Sequence, residues 1–362
     1  KGDGNFTLSS NLLPEHNLSG GCIAPFDYDK DGDIDLFVGG RLIPGQYPSP
    51  PKSLLLENTP TGFVDVTSNQ DSTLSSAGLI TDAVWTDFNN DGNQDLIVVG
   101  EWTDIQFFEN RDNQFVKVQL LEKALVGWWN CIKQADIDQD GDMDYILGNL
   151  GENYKYQASD DRPFEIYAGD FDGNSRQDIV VGYYSKNTLY PVRGLQCSSE
   201  QIPDIKKKFP SYKAFGEADL FEIYGDALDG AIHYSANIFS SIILENNGDK
   251  SFKIRALPPE VQLAPVQDVL ILDVNGDGLE DIITAGNWFV SEIETPRADN
   301  GVGTVLLNLG DFHFKPLSTL ESGIFANMDV RNMAVIPSKG SDKTRILIAN
   351  NDNDLQVFEQ KK

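Results

Sequence analysis

The stretch Asp27–Leu36 reads DYDKDGDIDL, which places carboxylates at alternate positions and then runs into the apolar residues LFVGG. Carboxylates this close repel one another, so the turn needs a positive counter-charge. Ca²⁺ prefers six to eight oxygen ligands in a flexible arrangement. Alternate side chains of a tight loop can point their oxygens inward, and a backbone carbonyl at the seventh position can complete the shell. This spacing therefore predicts a calcium loop.

The same pattern returns four more times, as DFNNDGNQD from Asp87, DIDQDGDMD from Asp136, DFDGNSRQD from Asp170 and DVNGDGLED from Asp273. We therefore predict about five Ca²⁺ sites. The predicted ligand residues occupy loop positions one, three, five, seven and nine. The residue at position seven contributes its backbone carbonyl, so its side chain can vary. The predicted ligand residues are Asp27, Asp29, Asp31, Asp33 and Asp35; Asp87, Asn89, Asp91, Asn93 and Asp95; Asp136, Asp138, Asp140, Asp142 and Asp144; Asp170, Asp172, Asn174, Arg176 and Asp178; and Asp273, Asn275, Asp277, Leu279 and Asp281.

An EF-hand begins in the same way, but it requires a glutamate at position twelve followed by a helix. Position twelve here is Val38, Val98, Leu147, Val181 or Thr284, each inside a run typical of a strand. The loops are therefore predicted to join two strands. Metal-free Asp/Asn/Gly turns are the alternative, and the fivefold repetition favours calcium.

Four segments downstream of loops each contain two apolar runs separated by turn residues such as Asn, Gly and Asp. This pattern predicts β-hairpins at 53–66, 105–118, 241–254 and 304–317. A calcium loop plus a hairpin makes a four-stranded unit, and such units in tandem indicate an all-β fold, a β-propeller. We expect six blades near 20–66, 78–120, 127–162, 163–257, 264–318 and 326–360. Residues 1–10 would supply the outer strand of the last blade, which has no calcium loop. Seven blades are the alternative, if 185–240 contains a degenerate one.

These loops resemble those of FG-GAP/VCBS-repeat propellers, the family that includes the head of integrin α-subunits. The segments GWWN, DIDQDGDMDYILGNLGENYKY and DVLILDVNGDGLEDIITAGN further resemble bacterial VCBS-repeat proteins related to cartilage acidic protein, many of them from Bacteroidetes-type bacteria. That resemblance implies a secreted or surface-anchored protein. Asn174 and Ser175 depart from the usual Asp-Gly pair, which predicts a weaker fourth site.

In a propeller whose calcium loops lie on one face, the connections from second to third strands collect on the opposite face. Aromatic, amide and arginine side chains there suit a sugar or a peptide, although tryptophans that cover blade cores are the alternative. The predicted ligand-binding residues are Arg41, Trp102, Trp128, Trp129, Asn130, Asn149, Tyr183, Asn287, Trp288 and Arg331.

Residues 1–362 are interpreted as one propeller domain with a helical insertion in blade four at about 192–238. Within it, Leu220, Tyr224, Leu228 and Ile232 recur at helical spacing. We expect this insertion to lie over the ligand-binding face, as a lid or as a simple cap.

The net charge of −28 argues against nucleic acid or an anionic membrane as partner. No apolar run is long enough to span a bilayer, and no nucleophile, phosphate-binding or zinc-protease motif occurs. The leading hypothesis is an extracytoplasmic, non-catalytic, calcium-binding module for a glycan or a cell-surface protein. A polysaccharide lyase on a propeller scaffold and a structural subunit of a cell-envelope complex are the alternatives.

Overall fold

The computed structural model describes residues 4, 8, 12–16, 19–291, 295–337 and 344–360. Antiparallel sheets dominate this part of the chain, as the all-β prediction requires, and the helices are short. No helix among the described residues has the length and apolar character needed to cross a membrane. The predicted closing strand at residues 1–10 falls largely outside the described residues.

The first two sheets follow the predicted pattern of four consecutive strands. The first contains β1 (Ser19–Phe26), β2 (Asp35–Leu42), β3 (Leu54–Thr59) and β4 (Gly62–Asp65). The second contains β5 (Leu79–Thr86), β6 (Asp95–Thr103), β7 (Gln106–Arg111) and β8 (Gln114–Val118), with the short β9 (Gly127–Trp128) added beside β6.

The third sheet is interrupted by a long insertion. It starts with β10 (Cys131–Ala135) and β11 (Asp144–Gly148). The chain then forms a separate inserted sheet from β12 (Phe164–Gly169), β13 (Asp178–Ser185), β14 (Thr188–Pro191) and β15 (Ile232–Ala236), in the order β14-β13-β12-β15. Only afterwards do β16 (Ile242–Asn246) and β17 (Phe252–Ala256) complete the third sheet, with Tyr145 of β11 opposite Leu244 of β16.

Two further sheets follow. The fourth contains β18 (Asp268–Leu272), β19 (Asp281–Ala285), β20 (Thr304–Asn308) and β21 (Phe314–Leu317); the fifth contains β22 (Val330–Pro337), β23 (Thr344–Asn350) and β24 (Gln356–Glu359). The helices are α1 (Ser72–Ser75), α2 (Leu195–Gln201), α3 (Asp204–Lys208), α4 (Tyr212–Glu217), α5 (Leu220–Tyr224) and α6 (Thr319–Ser322), and 3₁₀ turns lie at Thr67–Asn69, Gly225–Leu228 and Val261–Leu263.

Neighbouring sheets pack face to face in chain order. The first strands of the five main sheets, β1, β5, β10, β18 and β22, pack one against the next. Separate apolar cores fill the spaces between consecutive sheets, such as the core that joins Phe37 and Leu55 of the first sheet to Leu96 and Phe108 of the second. A middle strand is therefore covered on both sides, which explains the continuous apolar runs of β6, β11 and β19.

The expected blades 127–162 and 163–257 are wrong. Residues 163–185 contain one of the predicted calcium loops between two strands, so their sequence resembles the start of a blade. The hairpin at 241–254, however, pairs with β11 of the third sheet and not with β13. The insertion therefore belongs to the third sheet and spans 149–241. Its helices lie between β14 and β15, and Ile232 begins a strand instead of continuing a helix.

An asparagine on three of the third strands links adjacent sheets, a feature the sequence reading missed. Asn110 donates to the backbone oxygen of Tyr28, Asn246 to that of Phe88, and Asn308 to that of Ile137, each acceptor being the second residue of the previous sheet's loop. All three asparagines are buried. The amides therefore satisfy loop carbonyls that would otherwise lie unpaired between two sheets.

We expect Asn246→Ala to lower the free energy of unfolding by about 1–3 kcal/mol, because the buried Phe88 carbonyl loses its donor. Urea denaturation of the calcium-loaded protein measures this. The control is Asn247→Ala. This removes an exposed neighbouring side chain that bonds Ser251, and it should change stability by about 0.5 kcal/mol or less. Equal losses in the two variants would contradict a special role for the buried amide.

Candidate calcium loops and the central pocket

The five predicted loops share one hydrogen-bonded conformation. In the first, the Asp27 carboxylate accepts the backbone N–H groups of Asp31 and Gly32, both at 3.1 Å. Asp29 accepts the N–H of Asp31, and Asp31 accepts that of Asp33. Equivalent bonds at positions one, three and five recur in the other loops. Each loop joins two strands, so the rejection of an EF-hand is confirmed.

The ninth residue of three loops ties the loop to the third strand of its sheet. Asp144 is buried, and its two oxygens accept the N–H groups of Ile137 in the loop and Asn246 in the third strand, at 3.1 and 2.9 Å. Asp35 and Asp281 make the same pair of bonds. Burial raises the pKa of Asp144 to about 7, as it does for Asp95. A cation in the loop would favour their charged form.

The donor set of these loops fits a calcium ion. In the first, third and inserted-sheet loops, carboxylate oxygens of three aspartates lie within 4.8 Å of one another: Asp27, Asp29 and Asp35; Asp136, Asp138 and Asp140; and Asp170, Asp172 and Asp178. Asp136 Oδ1 and Asp95 Oδ2 are buried and have no hydrogen-bond partner among the described residues. Hard oxygens left without a donor are what Ca²⁺ requires.

Four of the loops lie side by side on one face. The fourth residue of each of the first three reaches to the loop of the next main sheet: Lys30 Nζ donates to the Gly92 carbonyl at 3.0 Å, Asn90 to the Asp142 carboxylate, and Gln139 to the Gly278 carbonyl at 2.7 Å. These contacts place the loops of the first four main sheets in one series. This face is called the calcium face below.

The loop of the inserted sheet, 170–178, lies elsewhere. Its Gln177 donates to the Tyr47 carbonyl at 3.1 Å, within the connection that follows β2. The calcium loop of the first sheet precedes β2, so Tyr47 lies at the other end of that strand. The predicted grouping of all five loops on one face is therefore wrong for this loop, because it belongs to the insertion.

Glycine at the sixth loop position has a conformational reason. Gly141 has a φ of +99°, and an added Cβ there would meet no atom within 4 Å. We expect Gly141→Ala to lower the free energy of unfolding by about 1–2 kcal/mol through backbone strain alone. The control is Gly216→Ala in α4, where alanine has the same open space and a better helix propensity, so stability should rise. Urea denaturation compares them, and an unchanged Gly141→Ala variant would contradict the strain.

The opposite end of the strands encloses a pocket of about 260 Å³, here called the central pocket. All five main sheets or their flanking turns contribute to it. Five of the ten predicted ligand-binding residues meet there: Arg41, Trp128, Asn130, Trp288 and Arg331. Thr81, Glu101, Leu150, Pro265 and Gln267 complete the wall.

A hydrogen-bonded chain fixes one side of the central pocket. The Arg41 guanidinium pairs with Glu101, and the Tyr47 hydroxyl donates to the other oxygen of the same carboxylate. Trp102 Nε1 donates to the Tyr47 hydroxyl at 2.6 Å. Trp102 itself has a φ of +55°, a strained conformation for a bulky residue. Such strain persists only where the surroundings enforce it, and it is frequent at functional sites.

The inserted sheet packs against the aromatic wall of the pocket. Trp128 makes edge contacts with Trp102, Tyr156, Phe164, Phe239 and Trp288, at ring-centroid distances of 5.1–5.9 Å. Phe164 lies on β12 of the inserted sheet, so this sheet holds the indole rings in place. The insertion therefore covers the tryptophans with its sheet. The helices expected over this face instead pack among themselves and against β14 of the inserted sheet, and their predicted role as a lid is not confirmed.

The other predicted residues lie outside the central pocket. Trp129 is fully buried in the core between the second and third sheets. Asn149 and Asn287 are also fully buried, and their amides bond backbone groups that hold the pocket's turns. Tyr183 is exposed on β13 and pairs with Tyr190. None of these four positions shows its role from residue type alone, because neither residue type nor periodicity separates a buried side chain from one that faces a pocket.

The comparisons with known proteins agree with the loop pattern. Residues 55–147 match the FG-GAP-like repeat family. This stretch contains the whole of the second and third predicted calcium loops, 87–95 and 136–144. No curated protein matches the chain significantly.

Among solved structures, the V. cholerae biofilm matrix protein Bap1 is similar at 9% identity, covering 94% of this chain and 69% of that chain, with a TM-score of 0.33. A BBS1N–ARL6DN complex soaked with lead is similar at 10% identity, covering 95% and 93% of the two chains, with a TM-score of 0.24. At these scores, neither likeness enters the proposals below.

Proposed function

We propose that this chain is a calcium-stabilised β-propeller that binds a glycan outside the cytoplasm through the central pocket. The observation that carries the proposal is the convergence of two arginines and two tryptophans from separate sheets on one cavity. Aromatic walls with a few fixed polar groups are typical of ligand sites. The pocket lies at the end of the strands away from the calcium face, where the connections between strands are free to vary.

The propeller architecture is supported by the packing of the five main sheets. Their first strands follow one another in chain order, and a separate core fills each interface. Arg41 of the first sheet and Arg331 of the fifth line the same cavity. We therefore treat these sheets as consecutive blades, with the inserted sheet as a cover.

The location is inferred from the calcium loops. Extracellular calcium modules bind with a Kd on the order of 10⁻⁴–10⁻³ M, which suits a calcium-rich exterior. An acidic chain of net charge −28 also gains from several bound cations. The narrower likeness to bacterial VCBS-repeat proteins related to cartilage acidic protein would place it at the cell surface, and it stays a prediction.

A non-catalytic role is part of this proposal, and Tyr47 of the Arg41–Glu101 chain is unsuited to proton abstraction. Burial and the Glu101 charge raise the pKa of Tyr47 well above its ordinary value. Its hydroxyl is therefore protonated at neutral pH and cannot act as a base. One alternative is a polysaccharide lyase in which a residue other than Tyr47 abstracts the proton. The other is a structural subunit of a cell-envelope complex that binds no glycan.

Affinity electrophoresis tests the proposal. The calcium-loaded protein runs through gels cast with neutral and acidic polysaccharides, beside Trp288→Ala in the pocket and Tyr183→Ala on the exposed inserted sheet. We expect retardation in at least one gel, lost in Trp288→Ala and kept in Tyr183→Ala. Retardation in none would overturn glycan binding and favour a protein partner. A cleared zone in the gel would identify an enzyme.

A further inference from the structure

Two hydrogen-bond donors at the central pocket have no acceptor in the part of the chain that the structure describes. Arg41 Nη1 and Trp128 Nε1 are both buried, and neither finds a partner among the described residues. Both side chains line the same cavity. A buried donor without a partner loses its hydration without compensation, so each of these groups is costly unless something else accepts from it. Two such donors in one wall indicate a ligand that carries acceptor oxygens.

The two arginines of the pocket are held in a similar way. Arg41 uses Nη2 on Glu101, and Arg331 uses Nη2 on the buried Asp329. Each carboxylate fixes its guanidinium through one terminal nitrogen. The other, Nη1, has no partner among the described residues in Arg41 and lies 3.5 Å from the amide oxygen of Gln267 in Arg331. Two oriented guanidinium groups are suited to the paired oxygens of a carboxylate.

We infer that the central pocket binds the carboxylate of a uronic acid residue in an acidic polysaccharide. The inference rests on the proposed glycan binding and narrows it to one class of sugar. Arg41 and Arg331 would receive the carboxylate, with Trp128 Nε1 donating to a ring or hydroxyl oxygen.

The remaining wall favours a sugar over an acidic peptide. Trp128 and Trp288 meet edge to face at 5.9 Å and give the cavity flat apolar surfaces, against which the C–H face of a pyranose packs. Asn130 and Gln267 add amide groups that can bond hydroxyls. A volume of about 260 Å³ is smaller than the ~300–1,000 Å³ of sites for drug-sized ligands, which suits one sugar unit.

The test compares ligands that differ only in the carboxylate. The full calcium-loaded chain is titrated calorimetrically with a glucuronic-acid-substituted xylo-oligosaccharide. The salt concentration is about 0.15 M, where a Debye length of about 8 Å screens the protein's overall negative charge. The same oligosaccharide with its carboxyl group reduced to an alcohol is the neutral counterpart, and a poly-glutamate peptide represents a carboxylate from protein. We expect binding of the acidic sugar, at least tenfold weaker binding of the reduced sugar, and weaker binding of the peptide.

The variants are Arg331→Gln and Arg41→Lys, with Arg345→Gln on β23, outside the pocket, as the matched control. We expect each pocket variant to weaken binding of the acidic sugar about tenfold or more, since a hydrogen bond to a charged group is lost. Arg41→Lys keeps the charge beside Glu101, so a folding defect is not expected, and a thermal melt checks this. Arg345→Gln should bind like the parent protein.

The outcomes separate the two claims. Equal affinity for the acidic and reduced sugars, or unchanged affinity in both pocket variants, would overturn the carboxylate inference while leaving glycan binding intact. Tighter binding of poly-glutamate than of the acidic sugar would also overturn it and identify a protein ligand. Retardation by neutral polysaccharides alone in the electrophoresis above would support the binding module and contradict its acidic specificity.

Discussion

Removal of Ca²⁺ with EDTA is expected to lower the melting temperature by about 10 °C or more. With a Kd of about 10⁻⁴–10⁻³ M and about 10 mM free Ca²⁺, each filled loop adds roughly 1.4–2.7 kcal/mol to the free energy of unfolding, because the ion binds only the folded form of the loop. Hydrogen bonds join the four loops of the calcium face in series, so we expect their contributions to the stability of the domain to add. A shift of roughly 2–4 °C per kcal/mol then gives the expected change. Differential scanning calorimetry with and without chelator measures it.

Two controls make the calcium experiment specific. Mg²⁺ at the same concentration should restore little stability, because it demands a smaller octahedral shell than these loops offer. Asp140→Ala should lose part of the calcium-dependent shift, whereas Asp161→Ala, an exposed carboxylate outside the loops, should keep all of it. A melting temperature that does not respond to EDTA would contradict calcium stabilisation.

Trp129→Ala is expected to lower the free energy of unfolding by about 3–5 kcal/mol. The side chain is fully buried, packs against Ile132 and Leu147, and donates from Nε1 to the Leu125 carbonyl at 3.1 Å. Its removal therefore leaves a large cavity and an unpaired carbonyl between the second and third sheets. Urea denaturation in calcium quantifies the loss.

Trp288 provides the comparison for the stability loss expected of Trp129→Ala. Trp288 is only partly buried at the edge of the central pocket, so Trp288→Ala should cost less stability than Trp129→Ala. The opposite ranking would place Trp129 on the exposed face, as the sequence first suggested. The consequence for binding studies is practical: Trp129 variants report on folding, and Trp288 variants report on the pocket.

The conformation of the candidate calcium loops and the hairpins were predictable because their constraints are local. Alternate carboxylates from Asp27, the glycine at loop position six and the apolar run that follows determine a loop between two strands. The four predicted hairpins all occur, since each depends on an apolar alternation and a turn within about a dozen residues.

The pairing of distant strands was not predictable from the same signals. β11 pairs with β16 across the insertion 149–241, and nothing in the local pattern distinguishes that pairing from one with β13. The central pocket was predicted in part, because the order of strands places Arg41, Asn130 and Arg331 at one end of their sheets. The roles of Tyr47 and of the linking asparagines depend on contacts between sheets, which only the folded chain shows.

A crystal structure grown in Ca²⁺ with the glucuronic-acid-substituted oligosaccharide would test the central claim most directly. The account predicts oxygen-coordinated density in the loops of the calcium face and a sugar in the central pocket, its carboxylate within hydrogen-bond distance of Arg41 and Arg331. A sugar bound elsewhere, such as beside Tyr183 on the inserted sheet, or loops without a metal at saturating Ca²⁺, would contradict it.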